Sequence, residues 1–142
     1  MKPTRILLTG LLAALSINLA VAADSPILYD QLGGKPGVTK IIDDLLTHVL
    51  ADKRINPIFA NANIPHLKMM LVEQVCAKTG GPCTYTGESM AEAHKGMNIN
   101  SAQFNALVED LQMSFADNNV PIGAGNKLLA ILAPMKKDVD HK

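Results

Sequence analysis

Residues 76–99 read CAKTGGPCTYTGESMAEAHKGMNI, and this stretch decides the fold. It predicts the end of one helix, a corner at Gly80-Gly81-Pro82, and a second, short helix. Glycine adopts positive φ without steric cost and proline cannot continue a helix, so the first helix should end at this corner. Gly87 then marks the loop that precedes the second helix.

The short second helix carries one histidine among apolar residues. Met90, Ala93, His94 and Met97 are three or four residues apart, so they should share one helix face. A lone histidine on such a face is more often a core residue satisfied by a hydrogen bond than a ligand. An imidazole in an apolar slot that faces another apolar helix is also what a single axial ligand to haem iron requires. Both interpretations stand on the residues alone.

The sequence resembles the truncated haemoglobins, and within them group 1. The matching segments are LYDQLGG at 28–34, VLAD at 49–52, the Gly80-Gly81-Pro82 corner, and Tyr85, Gly87, Met90 and His94 at their spacings. The similarity extends from Ile27 to about Val139. It implies an all-α fold, a two-over-two helical sandwich around haem b, with His94 as the proximal iron ligand.

The resemblance also implies which residues contact the haem. His94 would bind iron through one ring nitrogen and donate from the other to a backbone carbonyl one turn earlier, such as that of Met90. Lys68 and Tyr85 are candidate partners of the haem propionates, with solvent-exposed side chains as the competing interpretation. The remaining predicted contacts are Phe59, Leu46, Leu67, Met70, Leu71, Met90, Met97, Ile99 and Leu107.

The distal side of the expected pocket departs from the family pattern. Many relatives place a tyrosine and a glutamine where this sequence has Leu46 and Leu71, and those side chains donate hydrogen bonds to bound O₂. Losing such donors removes about 1.5–3 kcal/mol each when the bond is charge-assisted, so O₂ should dissociate faster here. Met70 is a second candidate iron ligand, and its alternative is a flexible core filler.

Several functions are compatible with these features. The favoured one is a haem protein that reversibly binds a diatomic gas (O₂, NO or CO) at iron held by His94. A non-enzymatic role is favoured, and the question of an enzymatic activity stays open. The runner-up is a periplasmic electron-transfer protein with a redox partner, in which Met70 also binds iron and raises the reduction potential. Nitric oxide dioxygenation needs firmly held O₂, and the sequence offers no distal acid or base for it. A helical interaction module without a cofactor is the remaining class.

Residues 1–22 have the pattern of a secretory signal peptide. Lys2 and Arg5 give a basic start, residues 6–20 form an apolar run, and Ala20-Val21-Ala22 is a small-x-small cleavage site. The run is shorter than the roughly 20 apolar residues of a spanning helix, so a membrane anchor is less favoured. We therefore expect an exported, periplasmic protein with one globin domain at 23–142.

The composition of the predicted mature chain argues against nucleic-acid partners. Removal of residues 1–22 leaves 11 basic and 13 acidic residues, and the basic ones are scattered without forming a stripe. The length suits a single domain with one core. The oligomeric state stays open.

Two cysteines, Cys76 and Cys83, flank the Gly-Gly corner with six residues between them. In an oxidising compartment such a pair can close a short loop, and we favour a disulfide. Two reduced, buried thiols are the alternative. The spacing is not Cys-x-x-Cys, and no Cys-x-x-Cys-His occurs, so zinc binding is disfavoured and c-type haem attachment is excluded.

The rest of the chain shows helical periodicity and no strand-like alternation. Apolar spacing predicts helices at 36–50, at 65–78, from an Asn100-Ser101 cap to about Asp117, and from about Asn126, with a break at 120–125. Gln103 is placed to complete the cap, and Pro134 should end the regular part of the last helix. Residues 136–142 should be solvated, with His141 frayed. The expected class is all-α.

Overall fold

The computed structural model describes residues 26–141, and the predicted signal peptide lies outside them. No strand forms within this range, and two short 3₁₀ turns, Asn56–Phe59 and Ala133–Met135, join the helices. None of the helices in it is long and apolar enough to cross a membrane. The helices are α1 (Leu28–Gln31), α2 (Gly34–Ala51), α3 (Ile64–Lys78), α4 (Met90–Ala93), α5 (Ser101–Asp117), α6 (Ile122–Leu132) and α7 (Lys136–Val139).

Helix α2 is the centre of the packing, because it contacts both α3 and α5. Its buried side chains follow the i, i+3, i+4, i+7 spacing of an apolar stripe. Ser114 of α5 donates a buried hydrogen bond of 2.7 Å to the carbonyl of Ile41 and ties the two helices together. The predicted all-α, two-over-two sandwich is confirmed. The buried residues of α2 are Val38, Ile41, Ile42, Leu45, Leu46 and Val49.

Helix α5 begins where the sequence predicts, with a complete capping box. The side chain of Asn100 accepts from the backbone N–H of Gln103 at 2.9 Å, and the side chain of Gln103 accepts from the backbone N–H of Asn100 at 3.0 Å. Two backbone donors that would otherwise lack helical partners are satisfied in this way.

The Gly-Gly corner after α3 is held by a disulfide between Cys76 and Cys83, so the favoured pairing is present. Gly80 has a φ of +88°, which disfavours any other residue. Gly81 is required for a different reason. A Cβ atom there would lie 2.6 Å from the Cys76 sulfur and 2.7 Å from the Tyr29 ring. The corner is therefore packed too tightly for a side chain.

The disulfide should contribute measurably to stability. Replacing both Cys76 and Cys83 by Ala should lower the free energy of unfolding by about 2–3 kcal/mol, because the loop of the unfolded chain is no longer closed. Urea titration measures this loss. Reducing the wild type with dithiothreitol should produce a similar loss and leave the double variant unchanged, whereas equal stability of all samples contradicts the prediction.

Helix α6 starts earlier than the sequence predicts, so the expected break at 120–125 is present at 120–121 and wrong for 122–125. The helix begins at Ile122, directly after Pro121, whose φ of −56° suits a helix start. Gly125 lies inside it, where a Cβ atom would be 2.9 Å from the Phe115 ring. The glycine thus permits close packing of α6 on α5 and does not break the helix.

The C-terminal segment is anchored, so the prediction of a solvated, frayed end is also wrong. Val139 is buried, and the backbone N–H of His141 donates to the Ile99 carbonyl at 2.8 Å. The Ser101 hydroxyl donates to Asp140 at 2.7 Å. The segment therefore closes over the residues that follow α4. Pro134 lies in the 3₁₀ turn that ends α6, as predicted.

One carboxyl group is buried in the core without a full set of partners. Asp110 of α5 is 3% exposed, and its Oδ2 has no hydrogen-bond partner among residues 26–141. Burial raises the pKa of the Asp110 carboxyl, and the nearby Asp52 carboxylate raises it further. The charged form is thus disfavoured in the folded protein.

Asp110→Asn should stabilise the protein at neutral pH, by about 1 kcal/mol, because a buried charge becomes a neutral group of the same shape. Since the folded pKa lies above the unfolded value of 3.8, the wild type pays this penalty above its folded pKa and loses it below 3.8. The gain should therefore shrink as the pH falls toward 4. Urea unfolding of Asp110→Asn and of the exposed Asp30→Asn control, at several pH values, tests this. A pH-independent gain contradicts it.

Candidate functional site

A cavity of about 760 Å³ lies between α3 and α4. Its other walls come from α2, the corner at 58–63, the loop at 85–88 and one residue of α5. The structure brings most of the sequence-predicted site residues together around this cavity. They are Leu46, Phe59, Leu67, Met70, Leu71, Tyr85, Met90, His94, Met97 and Leu107.

Two predicted residues lie elsewhere. Lys68 forms an ion pair with Asp43 of α2 and is not part of the cavity lining. Ile99 is buried beside a second, small pocket of about 60 Å³, which it shares with Phe104, Val139 and His94. Lys68 already has an anionic partner, and Ile99 packs beside His94 outside the main cavity.

His94 follows the single turn of α4 and is half-buried. Its Nδ1 lies 2.8 Å from the carbonyl oxygen of Met90, the hydrogen bond that the sequence analysis predicts. A carbonyl can only accept, so Nδ1 carries the proton and Nε2 keeps its lone pair. The imidazole is therefore held in the tautomer that a metal ligand requires.

Helix α4 is shorter than the sequence predicts. It ends at Ala93, and Gly96 adopts a φ of +77° two residues after His94. Met97 consequently lies outside the helix and is 43% exposed, although it still lines the cavity. The side chain of Ser89 caps the start of α4 by accepting from the Glu92 N–H at 3.3 Å. The proximal wall is thus one capped turn followed by a loop.

The loop before α4 is ordered by Tyr85, whose hydroxyl donates to the carbonyl of Glu88 at 2.8 Å. Burial raises the pKa of Tyr85, so the phenol stays neutral and remains a donor. Gly87 must lack a side chain, because a Cβ atom there would lie 2.4 Å from the Tyr85 hydroxyl oxygen. Glu73 of α3 accepts from both the N–H and the hydroxyl of Thr86 and joins the loop to α3.

Gly87→Ala should destabilise the protein by about 1–3 kcal/mol, because the new methyl group forces Tyr85 away from Glu88. Gly123→Ala is the matched control, since a Cβ atom at this exposed position in α6 meets nothing within 4 Å. The control should be neutral or stabilising by about 0.5–1 kcal/mol. Thermal unfolding of both variants measures the difference, and equal midpoints would count against the steric role of Gly87.

Several polar residues of the cavity are not predicted from the sequence, and two of them, His66 and Gln74, lie on α3. Val75 and Cys76, which follow Gln74 on α3, are buried in the core and do not line the cavity. Gln74 lies three residues after Leu71 and shares its helix face. Helical spacing alone could have identified Gln74, but a search restricted to apolar residues does not include it.

The residues present fit a haem. The cavity offers one imidazole nitrogen from α4 and faces it with the largely apolar wall of α3, where Met70 supplies a thioether. Met69, at the rim, is 50% exposed. The His94 imidazole on the α4 side, facing a largely apolar wall, matches the axial ligation of haem iron in globins.

A helical sandwich whose α3 and α4 walls enclose a histidine-bearing apolar cavity has globin-type architecture. The family model described as "Bacterial-like globin" matches residues 27–141. The chain therefore belongs to the bacterial-like globin family, as the resemblance in its sequence indicated.

Its relatives include group 1 truncated haemoglobins. The protein of Tetrahymena pyriformis is 30% identical over 112 residues, which cover 79% of this chain and 93% of that protein. The Synechocystis protein is 32% identical over 119 residues, covering 81% and 93%.

Solved structures of truncated haemoglobins are also similar to this chain. Truncated haemoglobin of Tetrahymena pyriformis in its Fe(III) form is similar with a TM-score of 0.79 and 29% identity, covering 82% of this chain and 100% of that one. The 2/2 haemoglobin of Synechococcus, in the cyanomet state with covalently attached haem, gives a TM-score of 0.75 and 26% identity, covering 80% and 98%.

Proposed function

We propose that this protein is an exported haem protein that reversibly binds a diatomic gas at iron held by His94. The observation that carries the proposal is the hydrogen bond from His94 Nδ1 to the Met90 carbonyl, because it leaves Nε2 as the ring nitrogen available to a metal. Family membership supports haem as the cofactor.

The residues around the cavity define what the site does. When bound, haem would supply an iron centre at which O₂, NO or CO can bind. His94 would hold the iron from the α4 side. Leu46, Leu67 and Leu71 exclude water from the opposite side and offer no hydrogen-bond donor there. These three leucines supply no acid or base for a reaction, which favours reversible binding as the chemistry of the site.

Electron transfer is the second candidate function, because Met70 lines the wall opposite His94 and is half-buried. A thioether from Met70 would complete His/Met coordination and suit exchange with a redox partner. The competing role of Met70 is apolar packing against the haem. Nitric oxide dioxygenation has less support, since the distal wall has leucine at the two positions where the family places donors.

Export to the periplasm is part of the proposal. The pattern of residues 1–22 supports it, and so does the disulfide between Cys76 and Cys83, since disulfides persist in oxidising compartments. Mass spectrometry of the secreted form would identify the cleavage site.

Haem reconstitution of the purified protein tests the site. The wild type should develop a Soret band, and His94→Ala should lose it or retain haem so weakly that gel filtration strips it, because the axial bond is missing. Added imidazole should restore part of the Soret band. His48→Ala is the matched control, since His48 bonds Asp117 outside the cavity and should leave haem uptake unchanged.

The reduced spectrum separates the two candidate functions. One broad band that converts readily to the CO form indicates an open position and gas binding. Sharp, split bands that resist CO and broaden in Met70→Leu indicate a second protein ligand and electron transfer. Absence of a Soret band in the reconstituted wild type would falsify both.

A further inference from the structure

Gln74 is a buried amide in a largely apolar wall. Of the buried polar residues between 26 and 141, it is the one that lines the cavity, and it is 6% exposed. Its side-chain nitrogen has the Met90 sulfur as its partner, at 3.5 Å. A thioether is a weak acceptor, and a buried amide without a strong partner is unfavourable. The protein alone therefore leaves much of the hydrogen-bonding capacity of this amide unused.

The position of Gln74 places this capacity on the cavity-lining face of α3. Gln74 lies three residues after Leu71 and seven after Leu67 on the same face of α3, the wall opposite His94. Its side chain also reaches Met90, whose carbonyl holds the His94 ring. The amide thus spans from the distal wall to the turn that carries the proximal histidine.

We propose that Gln74 is the hydrogen-bond donor to the diatomic ligand, in place of the donors that the family carries at the positions of Leu46 and Leu71. The inference rests on the proposed gas-binding function. A carboxamide has two N–H donors, so one can stay on the Met90 sulfur while the other turns to the ligand. An N–H···O bond to a partly negative oxygen is stronger than one to a thioether, so a bound O₂ favours this change.

The chemical consequence is discrimination between gases. O₂ gains partial negative charge on binding and responds strongly to a donor, whereas CO responds weakly. Gln74 therefore favours O₂ retention, and it offsets part of the loss expected from an apolar distal wall. Gln74 is a specificity-determining residue of the binding site.

Gln74→Leu tests the proposal in the haem-loaded protein. O₂ dissociation, measured by stopped flow with CO as the replacing ligand, should accelerate about tenfold or more, the effect of losing a charge-assisted hydrogen bond. CO dissociation should change less than about twofold. The infrared stretching frequency of bound CO should rise, because the nearby donor is gone. Gln112→Leu, the same change on the exposed side of α5, is the matched control and should behave like the wild type.

The outcomes separate this inference from the proposed function. Failure of the wild type to take up haem or CO removes the proposed function. Normal CO binding with unchanged O₂ dissociation and CO stretching frequency in Gln74→Leu overturns only the role of Gln74. Equal acceleration of both gases overturns it as well, since it indicates packing. If Gln74→Leu does not fold, Gln74→Met, apolar and unbranched like glutamine, replaces it in the same measurements.

Discussion

The hydrogen bond between the His94 ring and the Met90 carbonyl is the interaction on which the site depends, because it fixes both the tautomer and the orientation of the imidazole. This hydrogen bond belongs to helix α4, which has little packing of its own against the core. Helix α4 is a single turn without a buried residue of its own, so its place in the fold cannot come from core packing. The position of His94 must therefore be set by links from neighbouring elements.

Several of those links come from the last two turns of α3, and α7 also contacts α4. Glu73 binds Thr86, Gln74 contacts Met90, and Cys76 is bonded to Cys83. Three neighbouring positions on one helix thus hold three points of the segment that leads to His94. The two walls of the cavity are consequently linked. At Gly81 the approach to Cys76 of α3 is too close for a side chain.

The fold was predictable where the signals are local, and the errors follow contacts between distant segments. Helix periodicity and the Asn100 cap depend on residues within one turn, so the sequence reveals them. From the sequence alone, Gly125 indicates a helix break, whereas in the structure it allows the Phe115 ring to pack closely. The C-terminal end is held by a hydrogen bond to Ile99, which lies some forty residues earlier in the chain. Gln74 is not predicted as part of the cavity because the prediction rests on the spacing of apolar residues.

The buried polar side chains of this protein differ in whether they have strong hydrogen-bond partners. Thr79 and Ser114 donate to backbone carbonyls at 2.7 Å, so both hydroxyls stabilise the fold in the ordinary way. Asp110 and Gln74 lack strong hydrogen-bond partners. Buried polar side chains without such partners are unfavourable for stability and tend to be retained where function requires them. Asp110 does not line the cavity. Its pKa is raised by burial and by the nearby Asp52 carboxylate. Gln74 lines the same cavity as His94, and we propose that a ligand bound there completes its hydrogen bonding.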